Sequence, residues 1–315
     1  MHKQQIERAA GILVQARRDM RPLTGLPEGL KPTTFEEAHA IQDAVSRQLG
    51  QLIGGFKAMA PAHGDPTRGI LYGGTIHPSP HDLPAALVPQ CGVEGEVAFV
   101  FRRDLPARAA PYTRNEVSAV VEACAAIEVV HSRYATDAPV SNLEKLADSI
   151  SNGGFVHDAP RANWRDLQLG KLKVTLTVNG TVALEQVGGH PTGDPLGVAV
   201  VLANLWREKG GVRAGQFVTC GSCTGLKFLK PGDVCAVRFE GLGEARVTFS
   251  TGNKNAAATM GTENKSAAGN MGAESGEEKA VKTEVAAIMG AAGNMDANEE
   301  AGGKHKSDKK KNKSK

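Results

Sequence analysis

The chain of 315 residues contains no apolar run of about 18 or more, so it holds no candidate for a membrane-spanning helix. Cysteine is scarce: five residues, an odd number, do not make a disulfide framework and point to a reducing, cytoplasmic compartment. An excess of one charge is also missing. With 37 Lys+Arg against 34 Asp+Glu the net charge is +3, too even to argue for nucleic acid as the main partner. The first turns of the chain place Glu7 and Asp19 among their basic residues and lack a long apolar block, so neither a cleaved signal peptide nor a membrane partner is expected.

The largest absence lies at the C-terminal end. From Thr251 to Lys315 there is no Phe, Trp, Tyr, Leu, Pro or Cys. A segment without large apolar groups cannot offset the chain entropy lost on ordering, so residues 251–315 are expected to form a disordered low-complexity tail. Three versions of one unit recur there, starting at Ala256, Ala267 and Ala291, but they lack the buried leucines and aromatics a solenoid needs. The final basic run reads as a solvated tail, with a weak nuclear-targeting or polyanion-binding patch as the second reading.

What remains is rich enough to fold. Overall 41% of the chain is apolar, and every aromatic and all 16 prolines precede Thr251. Residues 4–18 carry Ile6, Ala9, Ala10, Leu13 and Val14 on one helical stripe. Thr34 and Glu37 predict a capping box ahead of a second helix. Gln51 to Met59 is a short strand candidate broken at Gly54-Gly55, and Pro61 to Pro84, dense in Gly and Pro, is expected to be loop and not core. Val93 to Phe101 alternates and predicts a strand. Thr113 and Glu116 make a second capping box, opening a helix through Val117, Val120, Val121 and Cys124, and Ala125 to Val130 follows as a strand. Asn179-Gly180 between two β-rich runs is a hairpin signal. Asp194-Pro195 opens a helix that Gly210-Gly211 stops, and Gln216 to Phe249 is strand-rich. Regular βαβ alternation is absent, so the fold class is α+β with a mixed, curved sheet system. The expected organisation is 1–84 N-terminal helical segment and lid region, 85–250 β-rich catalytic domain, and 251–315 tail.

Chemistry concentrates on acids. In a strand, Glu94 and Glu96 point to one side with carboxylates about 7 Å apart. Two like charges on one face repel unless a cation sits between them or one is protonated; otherwise they belong to a solvated face. The bare Gly95 suggests close packing behind them. Glu128 sits in Ala125-Ala126-Ile127-Glu128-Val129-Val130, a run apolar enough for a central strand, where an acid is seldom buried without a partner. Three carboxylates fit a hard cation, Mg²⁺ or Mn²⁺, better than zinc. Lys57, in the apolar Ile53 to Lys57 run, is expected to have a lowered pKa suited to proton transfer, unless it is a snorkelling surface lysine. Cys220 and Cys223 form an isolated CxxC without zinc or thioredoxin context and read as ordinary thiols. His131, His157 and His190 show no metal-ligand spacing, and His63, His77 and His81 fall in the turn-rich stretch.

The residues that carry this chemistry resemble the fumarylacetoacetate hydrolase superfamily in its 2-keto-4-pentenoate hydratase and 4-oxalocrotonate decarboxylase branch. The matching segments are Gly55-Phe56-Lys57, Val93 to Val100 with Arg103 to Pro106, Ala126 to Arg133, Ala147-Asp148 with Ser151-Asn152-Gly153, Gly193 to Leu196, and Gly221 to Gly225 with Pro231-Gly232-Asp233. The resemblance implies a mixed β-roll fold of the family's C-terminal type with N-terminal helices. It also implies a divalent metal, Mg²⁺ or Mn²⁺, held by Glu94, Glu96 and Glu128, a small 2-oxo acid chelating that metal, and a homo-oligomer. Glutamate at the third ligand position, Glu128, matches the hydratases and decarboxylases of the family, where hydrolases and isomerases usually carry Asp.

Lys57 is implied as the acid/base, and Ser151, Ser222 and Thr224 as substrate-binding. The activity so implied is hydration of a 2-hydroxy-2,4-dienoate to a 4-hydroxy-2-oxo acid in aromatic catabolism. The alternatives are decarboxylation of a 2-oxo-dicarboxylate such as 4-oxalocrotonate, or a non-catalytic descendant. Two departures bear on the last: the Lys57 to Pro66 segment is several residues shorter than the family pattern, and Thr67-Arg68 stands where an acid usually follows the proline. The tail is also foreign to the family.

Overall fold

The two N-terminal helices form where the apolar stripes place them, α1 (Lys3–Asp19) and α2 (Phe35–Leu49), and pack on each other through Ala9, Leu13, Ile41 and Val45. The computed structural model describes residues 1–60 and 65–252; His63 and all of the repetitive tail but its first two residues lie outside them. Thr34 caps α2 by accepting from Glu37 N, but the other half of the expected box is displaced: the Glu37 carboxylate accepts from Thr33 instead, through N at 2.7 Å and Oγ1 at 2.8 Å.

The strands follow as β1 (Ile53–Met59), β2 (Thr67–Tyr72), β3 (Ile76–Pro78), β4 (His81–Pro84), β5 (Gly92–Phe101) and β6 (Leu105–Pro106). After them come α3 (Arg114–Ser118), β7 (Val121–Val130), α4 (Asn142–Ala147), β8 (Asn152–His157), β9 (Lys173–Val178), β10 (Thr181–Val187) and α5 (Pro195–Trp206). The described chain closes with β11 (Gly211–Val212), β12 (Phe217–Ser222), β13 (Lys227–Phe228), β14 (Val234–Phe239) and β15 (Gly243–Ser250). One sheet runs β2-β1-β12-β5-β7-β8-β3 with β13 also on β5; a second runs β10-β9-β14-β15-β4; β11 and β6 form a short pair. This is the mixed α+β architecture expected. The main core lies between the two sheets, from Phe56, Val97 and Phe99 across to Val237, Val247 and Phe249.

The structure departs from the expected elements in several places. Thr67–Tyr72, expected to be loop, is a fully buried strand antiparallel to β1, because its Ile70, Leu71 and Tyr72 enter the core between the flanking turns. His77 and His81 likewise lie on strands, their rings stacked 3.8 Å apart. The helix opened by Thr113 ends at Ser118. Val121 to Cys124 already belong to β7, captured by its pairing with β5 from Phe101 to Gly92. Helix α5 ends at Trp206, short of Gly210. The sheet also crosses residue 84, since β1 pairs with β12 and β3 with β8, so residues 53–78 are built into the same sheet as β5 and β7.

The predicted hairpin is present: Asn179 (φ 52°) and Gly180 (φ 80°) are both left-handed, as a two-residue turn between twisted strands demands. The five cysteines are buried free thiols.

Candidate metal centre and active site

The centre of the large sheet places the acids. β5 and β7 are antiparallel with Glu94 directly opposite Glu128, and Glu96 follows two residues along β5 on the same face. A carboxylate oxygen from each of Glu94, Glu96 and Glu128 lies within 4.8 Å of the others. Among the described residues no other three His, Cys, Asp or Glu side chains converge in this way. Glu128 is 0% exposed and Glu96 2%, with Glu94 half-buried.

Behind the acids the missing side chain of Gly95 matters. A Cβ there would stand 2.6 Å from Val237 Cγ1 and 2.8 Å from Thr224 Cγ2, so β5 can press against the second sheet only as glycine. Thr224, expected at the substrate, is therefore on the opposite face from the carboxylates. Its hydroxyl accepts from Gly95 N at 2.8 Å and donates to Gly225 O at 3.1 Å, which holds the strand and uses its one donor within the protein.

β12 approaches Glu96 from the other side. Thr219 Oγ1 and Gly221 N both donate to Glu96 Oε2, the latter at 2.7 Å. Ser222, in register with Glu96, carries a buried hydroxyl without a hydrogen-bond partner, close enough to Glu94 to favour that carboxylate's charged form.

Lys57 comes from β1, beside β12. Its Nζ donates to Glu128 Oε1 at 2.7 Å and to Ile150 O at 3.2 Å. Burial works to lower this amine's pKa, but the charges of Glu128, Glu96 and Glu94 outweigh it and hold the amine above its ordinary value. The apolar run around Lys57 argues for a lowered pKa, and the three facing carboxylates reverse that direction. Burial, then the charge of Glu128, pushes Glu96 up, and the same two causes in the same order raise Glu94.

Other functional neighbours were missed. Asn152 Nδ2 donates to Glu128 Oε1 at 3.1 Å, and the Ile150 carbonyl holds Lys57. A Cβ at Gly69 would meet Ser149 O at 2.7 Å and Lys57 Cγ at 2.8 Å, so glycine there leaves room for the lysine. Ser151 lies half-buried beside Asn152 in a left-handed conformation, φ 59°. Arg68, at the position of the missing acid, turns away from Lys57. It pairs with Asp43 and Gln42 on α2 and stacks 4.4 Å over Trp206.

The donor set suits a hard divalent cation. Three anionic oxygens converge, and Glu128 Oε2 is buried with no hydrogen-bond partner, the state of an atom whose partner is a ligand.

The model of the fumarylacetoacetate (FAA) hydrolase C-terminal family matches residues 59–250, more than half of the chain. The chain belongs to that family. Among relatives, a 2-keto-4-pentenoate hydratase of Paraburkholderia xenovorans (strain LB400) is 28% identical over 80% of this chain and 97% of its own length. A 4-oxalocrotonate decarboxylase of Pseudomonas putida is 30% identical over 50% of this chain and 59% of its own. The relatives are thus enzymes of the fumarylacetoacetate hydrolase family. The fold matches the structure of 4-oxalocrotonate decarboxylase from Pseudomonas putida G7, complexed with magnesium and adipate, with a TM-score of 0.69, 23% identity and coverage of 79% of this chain and 98% of that one.

Proposed function

We propose that this member of the family is a divalent-metal-dependent hydratase that adds water to a 2-hydroxy-2,4-dienoate and yields a 4-hydroxy-2-oxo acid. The observation that carries the reading is the convergence of Glu94, Glu96 and Glu128 in one buried cluster that the Lys57 amine also reaches.

Glu94, Glu96 and Glu128 would hold Mg²⁺ or Mn²⁺, which would supply Lewis acidity to the keto or enol oxygen of the 2-oxo acid. Thr219 and Gly221 N fix one oxygen of Glu96, and Asn152 fixes one of Glu128, so the carboxylates are oriented before any ligand arrives. Lys57 is the acid/base at hand: its Nζ would deliver a proton to the terminal carbon, C5, of the dienol while the C2 hydroxyl gives up its own proton and becomes the keto oxygen. That step leaves a double bond conjugated with the keto group, and water adds at C4. Ser222 Oγ, buried and unpartnered, and Ser151 are the hydroxyls at hand to orient the substrate. Soluble expression in the cytoplasm and a homo-oligomeric state belong to the same reading.

The test follows 2-hydroxypenta-2,4-dienoate by its ultraviolet absorbance with Mg²⁺ present and after chelation. Metal-dependent loss of absorbance is expected; a flat trace with metal bound removes the hydratase reading. A decarboxylase is the second reading, favoured by the similarity to 4-oxalocrotonate decarboxylase, and CO₂ release from 4-oxalocrotonate would select it. Metal binding without turnover of either substrate would select the non-catalytic descendant.

A further inference from the structure

Three consecutive residues without glycine's freedom, Ser149 (φ 54°), Ile150 (φ 53°) and Ser151 (φ 59°), adopt the left-handed conformation between α4 and β8. Ile150 is the least suited of the three, because a β-branched side chain crowds its own backbone there. Such a turn persists only where its surroundings over-determine it.

The surroundings centre on Arg133 and Asp148, both buried. Arg133 Nη2 donates to Asp148 O at 3.0 Å and Nη1 to Asn152 O at 2.8 Å, so a single guanidinium bridges the carbonyls at the two ends of the turn. Arg133 Nε and N bind the two oxygens of the Asp148 carboxylate, at 2.6 and 3.0 Å. Arg17 adds a second cation to Asp148 Oδ1 at 3.1 Å but touches neither carbonyl. Ser151 N donates back to Asp148 O at 3.1 Å, and Ser151 O accepts from His131 N at 2.8 Å.

What the turn presents is the active site. Its Ile150 carbonyl holds Lys57 Nζ, and Asn152 at its end donates to Glu128. We infer that Arg133 is a positioning residue: as a clamp across residues 148–152 it keeps a strained left-handed turn in the one conformation that aims Lys57 and Glu128 at the same point. The inference rests on the metal-dependent reading of the site and adds to it a residue that touches none of the reacting groups. Arginine is specific for this task, since a lysine ammonium is a point donor and cannot span both carbonyls and the carboxylate in one plane.

The experiment compares Mn²⁺ binding by calorimetry, and turnover of the dienoate, in full-length Arg133→Lys, Arg17→Gln and Arg133→Lys/Ile150→Gly proteins. Arg133→Lys is expected to weaken Mn²⁺ binding about tenfold and to lower kcat more than it raises KM. Glycine at position 150 adopts the left-handed conformation without crowding and keeps the carbonyl, so the double variant should recover most of the Mn²⁺ affinity. Arg17→Gln should stay within about twofold of wild type, because it loses charge but not the bridge.

Failure of the double variant to recover, or an equal loss in Arg17→Gln, would overturn the clamp in favour of simple charge compensation around Asp148. Wild-type protein that binds Mn²⁺ while Arg133→Lys binds it equally well would overturn the clamp alone; wild-type protein that binds no Mn²⁺ would overturn both readings. Should Arg133→Lys not fold, Asn152→Ala removes only the end of the relay. It should weaken Mn²⁺ with the melting temperature preserved, and unchanged binding there would count against the inference.

Discussion

Replacing Glu128 by Gln separates a metal ligand from a structural ion pair, and the structure sets the size of each effect. At an effective dielectric of about 20, the attraction between Lys57 and Glu128 across 2.7 Å is about 6 kcal/mol. The same arithmetic gives a repulsion of at least about 3 kcal/mol between Glu128 and each of Glu94 and Glu96, whose oxygens lie within 4.8 Å. Above a pH of about 8, where Glu96 is ionised as well, the two nearly cancel. Gln keeps an oxygen for Lys57 and for Asn152, so the metal-free protein should change stability by no more than about 1 kcal/mol, or about 2–4 °C in Tm for a chain of this size.

Metal binding has no such compensation. One of three anionic ligands is lost, and Mn²⁺ affinity should fall by about 100-fold or more, about 2.7 kcal/mol. Calorimetric titration with Mn²⁺ and melts in chelator read the two quantities separately. Unchanged Mn²⁺ affinity would remove Glu128 from the ligand set. A metal-free melting temperature lower by about 10 °C or more would mean that the acid serves the fold through Lys57, and the argument from cancellation would fail.

Lys57→Met should lower kcat by at least about 100-fold with Mn²⁺ still bound, as measured by steady-state kinetics beside calorimetry; a small effect would dismiss the amine as the proton donor. Gly69→Ala places a methyl against Ser149 O and Lys57 Cγ and should cost about 1–3 kcal/mol in a denaturant melt while also slowing turnover. Burial, aided by nearby Arg68 and Arg133 respectively, holds His39 and His131 down to about 4 from an ordinary 6.5. The unfolded chain therefore takes up protons that the native state refuses. Their contribution is complete above about 6.5 and is lost as pH falls through that window to about 4. Melts across that range should show the loss, and His39→Gln should flatten part of it.

Much of the site was legible because strands and capping obey short-range rules. The two-residue period of a strand puts Glu94 and Glu96 on one face whatever the rest of the chain does. The apolar run around Glu128 marks a buried acid for the same local reason, Asn179-Gly180 acts through its own backbone, and the Asp194 carboxylate caps the amide of Gly197 three residues on. Asn152 was within reach of the sequence, since it stands in the Ser151-Asn152-Gly153 segment, but nothing local says that its amide meets Glu128. β2 hides in the sequence because glycines and prolines flank its short apolar run of Ile70, Leu71 and Tyr72. The helix after Thr113 was carried too far, since a correct N-cap says nothing about where a helix ends.

The sequence by itself determined most of the helices and strands, the acids and the kind of cation they suit, because side-chain chemistry and local periodicity are properties of neighbours along the chain. Tertiary structure alone decided that Glu128 faces Glu94 and that Lys57 is held charged. It also decided that Thr224 supports the strand from behind and that Arg133 spans the turn from Asp148 to Asn152. Each of these depends on strand register or on contacts between residues far apart in the chain, and the energies of such contacts exist only once the sheet has closed.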